Sequence, residues 1–425
     1  MTRETLSNQR VAVLTLLISI VLVHDIGRSA LARTATFYVG KDGHNDNSCS
    51  DAQSRPTAKL TINEGLKCLT AGDTLYIGAG TYEEAISSED SVIPVGTSWN
   101  DVVTIAAYPG ESVTLKPSGV YAVIRLVHSY ICYLVFDGLI IDAANTSADG
   151  VSMMHGAHHV RFQNGEIKNA PTQGIIITNN TGSTSFNEFI NLKVHNNGTN
   201  KLHHGAYIST SNNLIEKSEF YSNSGYGIHL YDEPGGTVNN NIVRSNVTRD
   251  NGFSSCCTAG ILAGSGNDNL VYNNISYRNK YGITIGYNNA TNTKIYNNTV
   301  YNNLEYGIRI RTTSVDAIIK NNIVYRNATP IYDLGTNTTL SHNLTSDPQF
   351  VDAETLNFLL QPGSPAIDSG EVLKDVTVDF RGVSRAAGTG PDVGAYEFAD
   401  SHFSSISAAP SDLQVQPTED PGPIE

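Results

Sequence analysis

Through the middle of the chain a glycine repeatedly opens a short run in which apolar residues alternate with others. The runs are GIIITN from Gly174, GAYIST from Gly205, GIHLYD from Gly227, GILAGS from Gly260, GITIGY from Gly282 and GIRIRT from Gly307. Alternation with period two predicts a strand with one face buried. Each run is followed by a second apolar stretch rich in asparagine, such as LVYNNISYRN, KIYNNTVYNN and IIKNNIVYRN. The repeating unit is therefore a glycine turn, a strand, a turn, a second strand, an asparagine corner and a third strand.

Aligning the units gives two asparagine columns. One holds Asn246, Asn274, Asn298 and Asn322, with Ser218 in the preceding unit; the other holds Asn197, Asn223, Asn251, Asn279, Asn303 and Asn327. Steps of 24 to 28 residues are too long for a hairpin repeat, lack the helix-pair period of helical solenoids, and exclude a left-handed hexapeptide helix. They fit one turn of an all-β, right-handed parallel β-helix with three short strands per coil. An amide both donates and accepts, so asparagines stacked at a corner can bond to one another and to turn backbone.

Composition agrees with a β-rich, turn-rich chain: 425 residues, 40% hydrophobic and 16% charged, with 37 Gly and 21 Tyr but 3 Met and 1 Trp. A formal net charge of -14 argues against nucleic acid or anionic lipid as partner, since both select basic surfaces. Arg3 and Arg10 precede the apolar run from Val11 to Val23, and Ala30-Leu31-Ala32 follows as a small-x-small site. That predicts a signal peptide over residues 1–32, the alternative being a single-span anchor, and no later segment is long enough to span a bilayer. A secreted or cell-surface location follows, with a periplasmic one open. Export permits disulfides. Cys49 pairs most naturally with Cys68, and the connectivity of Cys132, Cys256 and Cys257 stays open.

These features resemble the pectate-lyase-like superfamily of secreted right-handed parallel β-helix proteins over roughly residues 36–398. The opening TFYVGKDG and LTINEGLKCLTAGDTLYIGAGTYEE are similar to that superfamily's N-terminal cap, with Thr61 to Leu69 as a capping helix. SDPQFVDAETLNFLLQPGSPAIDSG and PDVGAYEF resemble its closing module. The resemblance implies an N-terminal cap and first strands over 33–103, coils over 104–345 and a C-terminal capping module over 346–398. The Ser-, Pro- and acid-rich stretch 399–425 reads as a disordered tail. It also implies that the outer face of the first sheet carries a polysaccharide groove.

On that face the residues between the inward isoleucines form two columns. One runs Arg125, Ser152, Ile176, Tyr207, His229, Leu262, Thr284, Arg309, and the other, two residues on, ends in Tyr231, Gly264, Gly286, Arg311. Successive coils lie about 4.8 Å apart, so Tyr207 and His229 are expected to be neighbours. Longer glycine spacings, 31 into Gly205 and 33 into Gly260, place inserted loops on both sides of the His229 coil. One loop carries Lys201, His203 and His204, and the other Cys256 and Cys257.

The chemistry on offer is proton abstraction beside a uronate carboxylate, as in a polysaccharide lyase or C5 epimerase. His229 and His204 are candidate bases and Tyr207 and Tyr231 candidate acids. Tyr226 and Lys201 are candidate substrate contacts, as are Arg309 and Arg311, about 15 Å beyond His229 by strand spacing. Asp232 and Glu233 are a candidate pair for calcium. No other cofactor is indicated. The expected partner is an extracellular, acidic polysaccharide, and the expected state a monomer; a trimeric tailspike or adhesin is a third class that solution mass would reveal. The alternative function is a non-catalytic glycan-binding or structural β-helix. Several activities lose support: the aspartate motifs of polygalacturonase-like members and the Asp-Pro-His run of alginate epimerases are missing, although YDEP sits near the latter's place.

Overall fold

The computed structural model describes residues 34–178, 184–232, 237–252 and 258–398. The expected signal peptide and disordered tail lie outside these residues, as do Glu233, Cys256 and Cys257. Three long sheets wind around a common core. Sheet I has ten strands, from Ile86–Ser87 to Thr329–Asp333; sheet II has twelve, from Thr36–Val39 to Thr339–Ser341; sheet III has ten, from Gly80–Tyr82 to Ile323–Tyr325. Within each, neighbouring strands come from consecutive coils and run parallel, as in Ile228–Leu230 against Ala206–Ile208 on one side and Ala259–Ala263 on the other. The result is a parallel β-solenoid with almost no helix among the described residues.

Period-two alternation fixes what faces in. Ile175, Ile228, Ile261, Ile283 and Ile308 are fully buried in one column, and Phe136, Phe162 and Phe189 stack at 4.7 and 5.6 Å inside the early coils. The doubled asparagines have a division of labour. Asn273, Asn297, Asn302 and Asn321 take left-handed φ of 50–58°, a conformation that asparagine tolerates better than most residues. That turn points the following residue, Asn274, Asn298, Asn303 or Asn322, into the corner. There each side-chain oxygen accepts both the backbone and the side-chain N–H of the asparagine one coil earlier, as Asn298 Oδ1 does from Asn274. Both predicted columns form such ladders, and the first ends on Asn343. A third ladder, Asn187, Asn213, Asn241 and Asn269, lines the corner ahead of sheet II and was not anticipated.

Near the start, the helix covers only Ile62–Leu66, shorter than Thr61 to Leu69, with the Thr61 side chain accepting the Glu64 N–H. The Cys49–Cys68 disulfide closes the loop around it. At the other end, residues after Leu344 run along the flank of the solenoid. Phe350, Phe358, Leu360 and Ala395 pack on Tyr277, Tyr301 and Ile323 of sheet III, and Val376 on Tyr272 and Tyr296 of sheet II. Buried Arg385 fastens this segment, donating to Glu397 at 2.7 Å and to Asn273 Oδ1 at 2.6 Å. Sheets II and III are thus partly covered by the C-terminal segment.

Candidate functional site

The site is built on the outer face of sheet I, where register pairs Tyr207 with His229, His229 with Leu262, Leu262 with Thr284 and Thr284 with Arg309. His229 is the hub of a ring cluster. Its imidazole lies 4.9 Å from the Tyr207 ring, 4.6 Å from Tyr226, 4.4 Å from His204 and 5.3 Å from Tyr231. The expected Tyr207–His229 contact is present, and His204, Tyr226 and Tyr231 join it.

Burial divides these groups. Tyr207 and Tyr231 are half-buried, but His229 is only 8% exposed and His204 2%. Tyr226 and Tyr281 close over Leu262, which is fully buried. His204 Nδ1 accepts the Tyr226 backbone N–H at 3.1 Å, an approach that Gly225 permits because a Cβ there would collide with the ring. Burial drives the His204 pKa down to about 3, and His203 beside it adds to the effect. Burial likewise holds His229 well below its ordinary value, with His204 contributing. Both imidazoles are therefore neutral in the neutral pH range. His229 Nδ1 has no hydrogen-bond partner among the described residues. Burial also raises the Tyr231 phenol above its usual value, and the nearby Asp232 carboxylate adds to it.

A residue absent from the sequence reading completes the row. Gly264 and Gly286 leave a gap in the column between Tyr231 and Arg311, and the following turn folds into it. Gly286 adopts φ of 76°, and the Tyr287 and Asn288 backbone N–H groups both donate to the Gly264 carbonyl, at 2.6 and 2.9 Å. The Tyr287 ring, 48% exposed, meets Tyr231 edge-on at 5.5 Å and carries the Arg311 guanidinium 4.6 Å from its centre. A continuous line of rings thus runs Tyr207, His229, Tyr231, Tyr287, ending on Arg311. The sequence signal for Tyr287 was the glycine pair in one column.

The other candidates are placed less centrally. Lys201 is exposed on the inserted loop and makes no hydrogen bond or ion pair among the described residues. Asp232 accepts from the Asn288 amide at 3.2 Å, and its own N–H donates to Ser265 Oγ at 2.7 Å. Its expected calcium partner, Glu233, lies outside the described residues.

Residues 141–354 match the family model described as Periplasmic copper-binding protein (NosD). The chain belongs to the NosD family. No curated protein sequence matches the chain. Among solved structures, pectate lyase Pel9A superposes with a TM-score of 0.65 at 17% identity, over 87% of this chain and 98% of that one. A rhamnogalacturonan lyase superposes with a TM-score of 0.55 at 16% identity, over 82% and 99%. At such identities the likeness is one of fold. Among the described residues no three His, Cys, Asp or Glu side chains converge into a cage for the copper of the family's description. The tightest donor pair, His158 and His159 with Nδ1 atoms 2.6 Å apart, lies on sheet II, beside Tyr133 and Phe186.

Proposed function

We propose that the protein is exported and acts on an acidic extracellular polysaccharide lying across the outer face of sheet I. The reaction is abstraction of the proton beside a uronate carboxylate, by a lyase or C5 epimerase. The observation that carries the reading is the unbroken row of rings from Tyr207 to Tyr287, since flat rings with polar edges are what sugar rings stack on. The pectate and rhamnogalacturonan lyases share the fold and so add support by analogy alone. The Cys49–Cys68 disulfide fits an oxidising compartment, secreted or periplasmic.

In this reading His229 is the base. Burial keeps the imidazole deprotonated, and Nε2, rather than the solvent-shielded Nδ1, is the atom that takes the proton. Tyr207 or Tyr231 returns a proton to the leaving oxygen or the opposite sugar face. His204 holds Tyr226 and the His229 ring in place, and Lys201 contacts the chain from the loop. Calcium at Asp232 and Glu233 would neutralise the developing enolate.

A second reading, a non-catalytic glycan binder, is favoured by the 8% exposure of His229. Ultraviolet absorbance of unsaturated products, together with solvent-proton exchange at uronate C5, separates the two. The assay is run on pectate, alginate and glycosaminoglycans with and without calcium. Turnover that His229→Ala abolishes while glycan binding persists supports the enzyme. Binding without product or exchange on any substrate leaves the binder.

A further inference from the structure

Arg309 and Arg311 differ from the other arginines of the protein. Every other arginine among the described residues carries an ion pair with an Asp or Glu. These two carry none with any described residue, in a chain of net charge -14. Instead Arg309 sits between Tyr281 and Tyr306, 5.1 and 5.3 Å from their centres, and Arg311 lies over Tyr287. Asp333, paired in register with Ile310, is turned away to the Gly335 N–H and the Thr338 hydroxyl. Arg309 Nε is buried and has no acceptor.

A guanidinium held face-on to a ring keeps its N–H donors at the edge, where they match the two oxygens of a carboxylate. Both arginines point outward from one strand, Tyr306–Ile310, and its next residue. They stand three coils from His229, about 15 Å at strand spacing, too far for one sugar ring to touch both. Tyr287 and Tyr231 bridge that interval with aromatic surface.

We infer that Arg309 and Arg311 form an oxyanion subsite for the carboxylate of a uronate several sugars along from the one at His229. The ligand is then a polyuronate chain running parallel to the solenoid axis, recognised at two separated points. This inference rests on the sheet I site proposed above and adds the class and direction of its ligand.

Calorimetric titration of the full chain with oligogalacturonates of increasing length tests it. A carboxyl-reduced long oligomer and a sulfated glycan are included, each with wild type, the Arg309→Gln/Arg311→Gln double variant and the Arg309→Lys/Arg311→Lys variant. The wild type is expected to gain affinity with length, and the Gln variant to lose roughly ten- to hundredfold on the long oligomer and none on short ones. The Lys variant should fall between, and the carboxyl-reduced oligomer should be indifferent to the substitutions. Equal affinity of wild type and Gln variant for the long uronate oligomer overturns the subsite while leaving the sheet I site standing. Arginine-dependent binding of the sulfated glycan alone overturns the uronate assignment. If wild type binds no glycan, the sheet I reading itself falls. Unchanged melting temperatures in the variants exclude misfolding as the cause.

Discussion

The asparagine ladders show how one residue type holds many coils at once. Asn279 Oδ1 accepts from the backbone and amide nitrogens of Asn251, and its own amide donates to Asn303, to the Thr248 carbonyl and to the Tyr277 carbonyl. Asn279→Ala therefore orphans groups in three coils, each costing about 1–3 kcal/mol when buried unsatisfied. The expected loss is about 3 kcal/mol or more, read as a lowered denaturant midpoint, against well under 1 kcal/mol for an exposed control such as Asn200→Ala. His204 makes a prediction of opposite character. Its folded pKa is depressed to about 3 from 6.5, so the unfolded chain binds the extra proton first as pH falls. The stability from neutral His204 is complete above 6.5 and is lost progressively toward pH 3. The same sign applies to His229. Unfolding at stepped pH should show this decline, and His204→Gln should flatten part of it; an unchanged profile would refute the assignment of the slope to His204.

At the level of elements, a single backbone conformation decides where the ring row ends. Gly286 at φ of 76° turns Tyr287 into the gap above Gly264, and a Cβ on Gly286 would also press on Ser314 at 3.0 Å. Gly286→Ala is expected to cost about 1–2 kcal/mol for the left-handed conformation alone and to weaken glycan binding as Tyr287 shifts. A melting scan and a titration check the two effects, and intact affinity would remove Tyr287 from the site. This turn also marks the limit of what was legible in the sequence. The solenoid could be read because NN doublets and glycine-led alternation repeat in register, and the pairing of Tyr207 with His229 followed from that register. Tyr287 could not be read so, because strand alternation says nothing of a residue after a left-handed glycine. The burial of His229 was equally hidden, since it comes from the His204, Tyr207 and Tyr226 rings closing around the imidazole. The third ladder escaped because Asn187, Asn213, Asn241 and Asn269 lie in the turn ahead of the second strand, where the flanking residues vary from coil to coil.

For the molecule as a whole, electrostatics set a condition that local contacts do not. A chain of net charge -14 repels a polyuronate at distance, and the unpaired Arg309 and Arg311 attract it only at close range. At low ionic strength the repulsion reaches far, with a screening length of about 30 Å at 0.01 M against about 8 Å at 0.15 M. Added salt should therefore first speed association by damping the repulsion, then weaken the complex as the arginine–carboxylate contacts are screened. Stopped-flow binding of a long oligogalacturonate is expected to show an association rate that rises severalfold between those two salt concentrations. Affinity should pass through a maximum at intermediate salt, with a neutral glycan flat throughout. Polyanion binders that rely on a basic surface behave oppositely, losing affinity steadily from the lowest salt upward. A monotonic fall here would mean that the potential over sheet I is positive despite the net charge, and that the two arginines act as part of a wider basic field. A maximum that disappears in the Arg309→Gln/Arg311→Gln variant, leaving only the rise in association rate, would assign the short-range attraction to those two residues and the long-range repulsion to the rest of the protein.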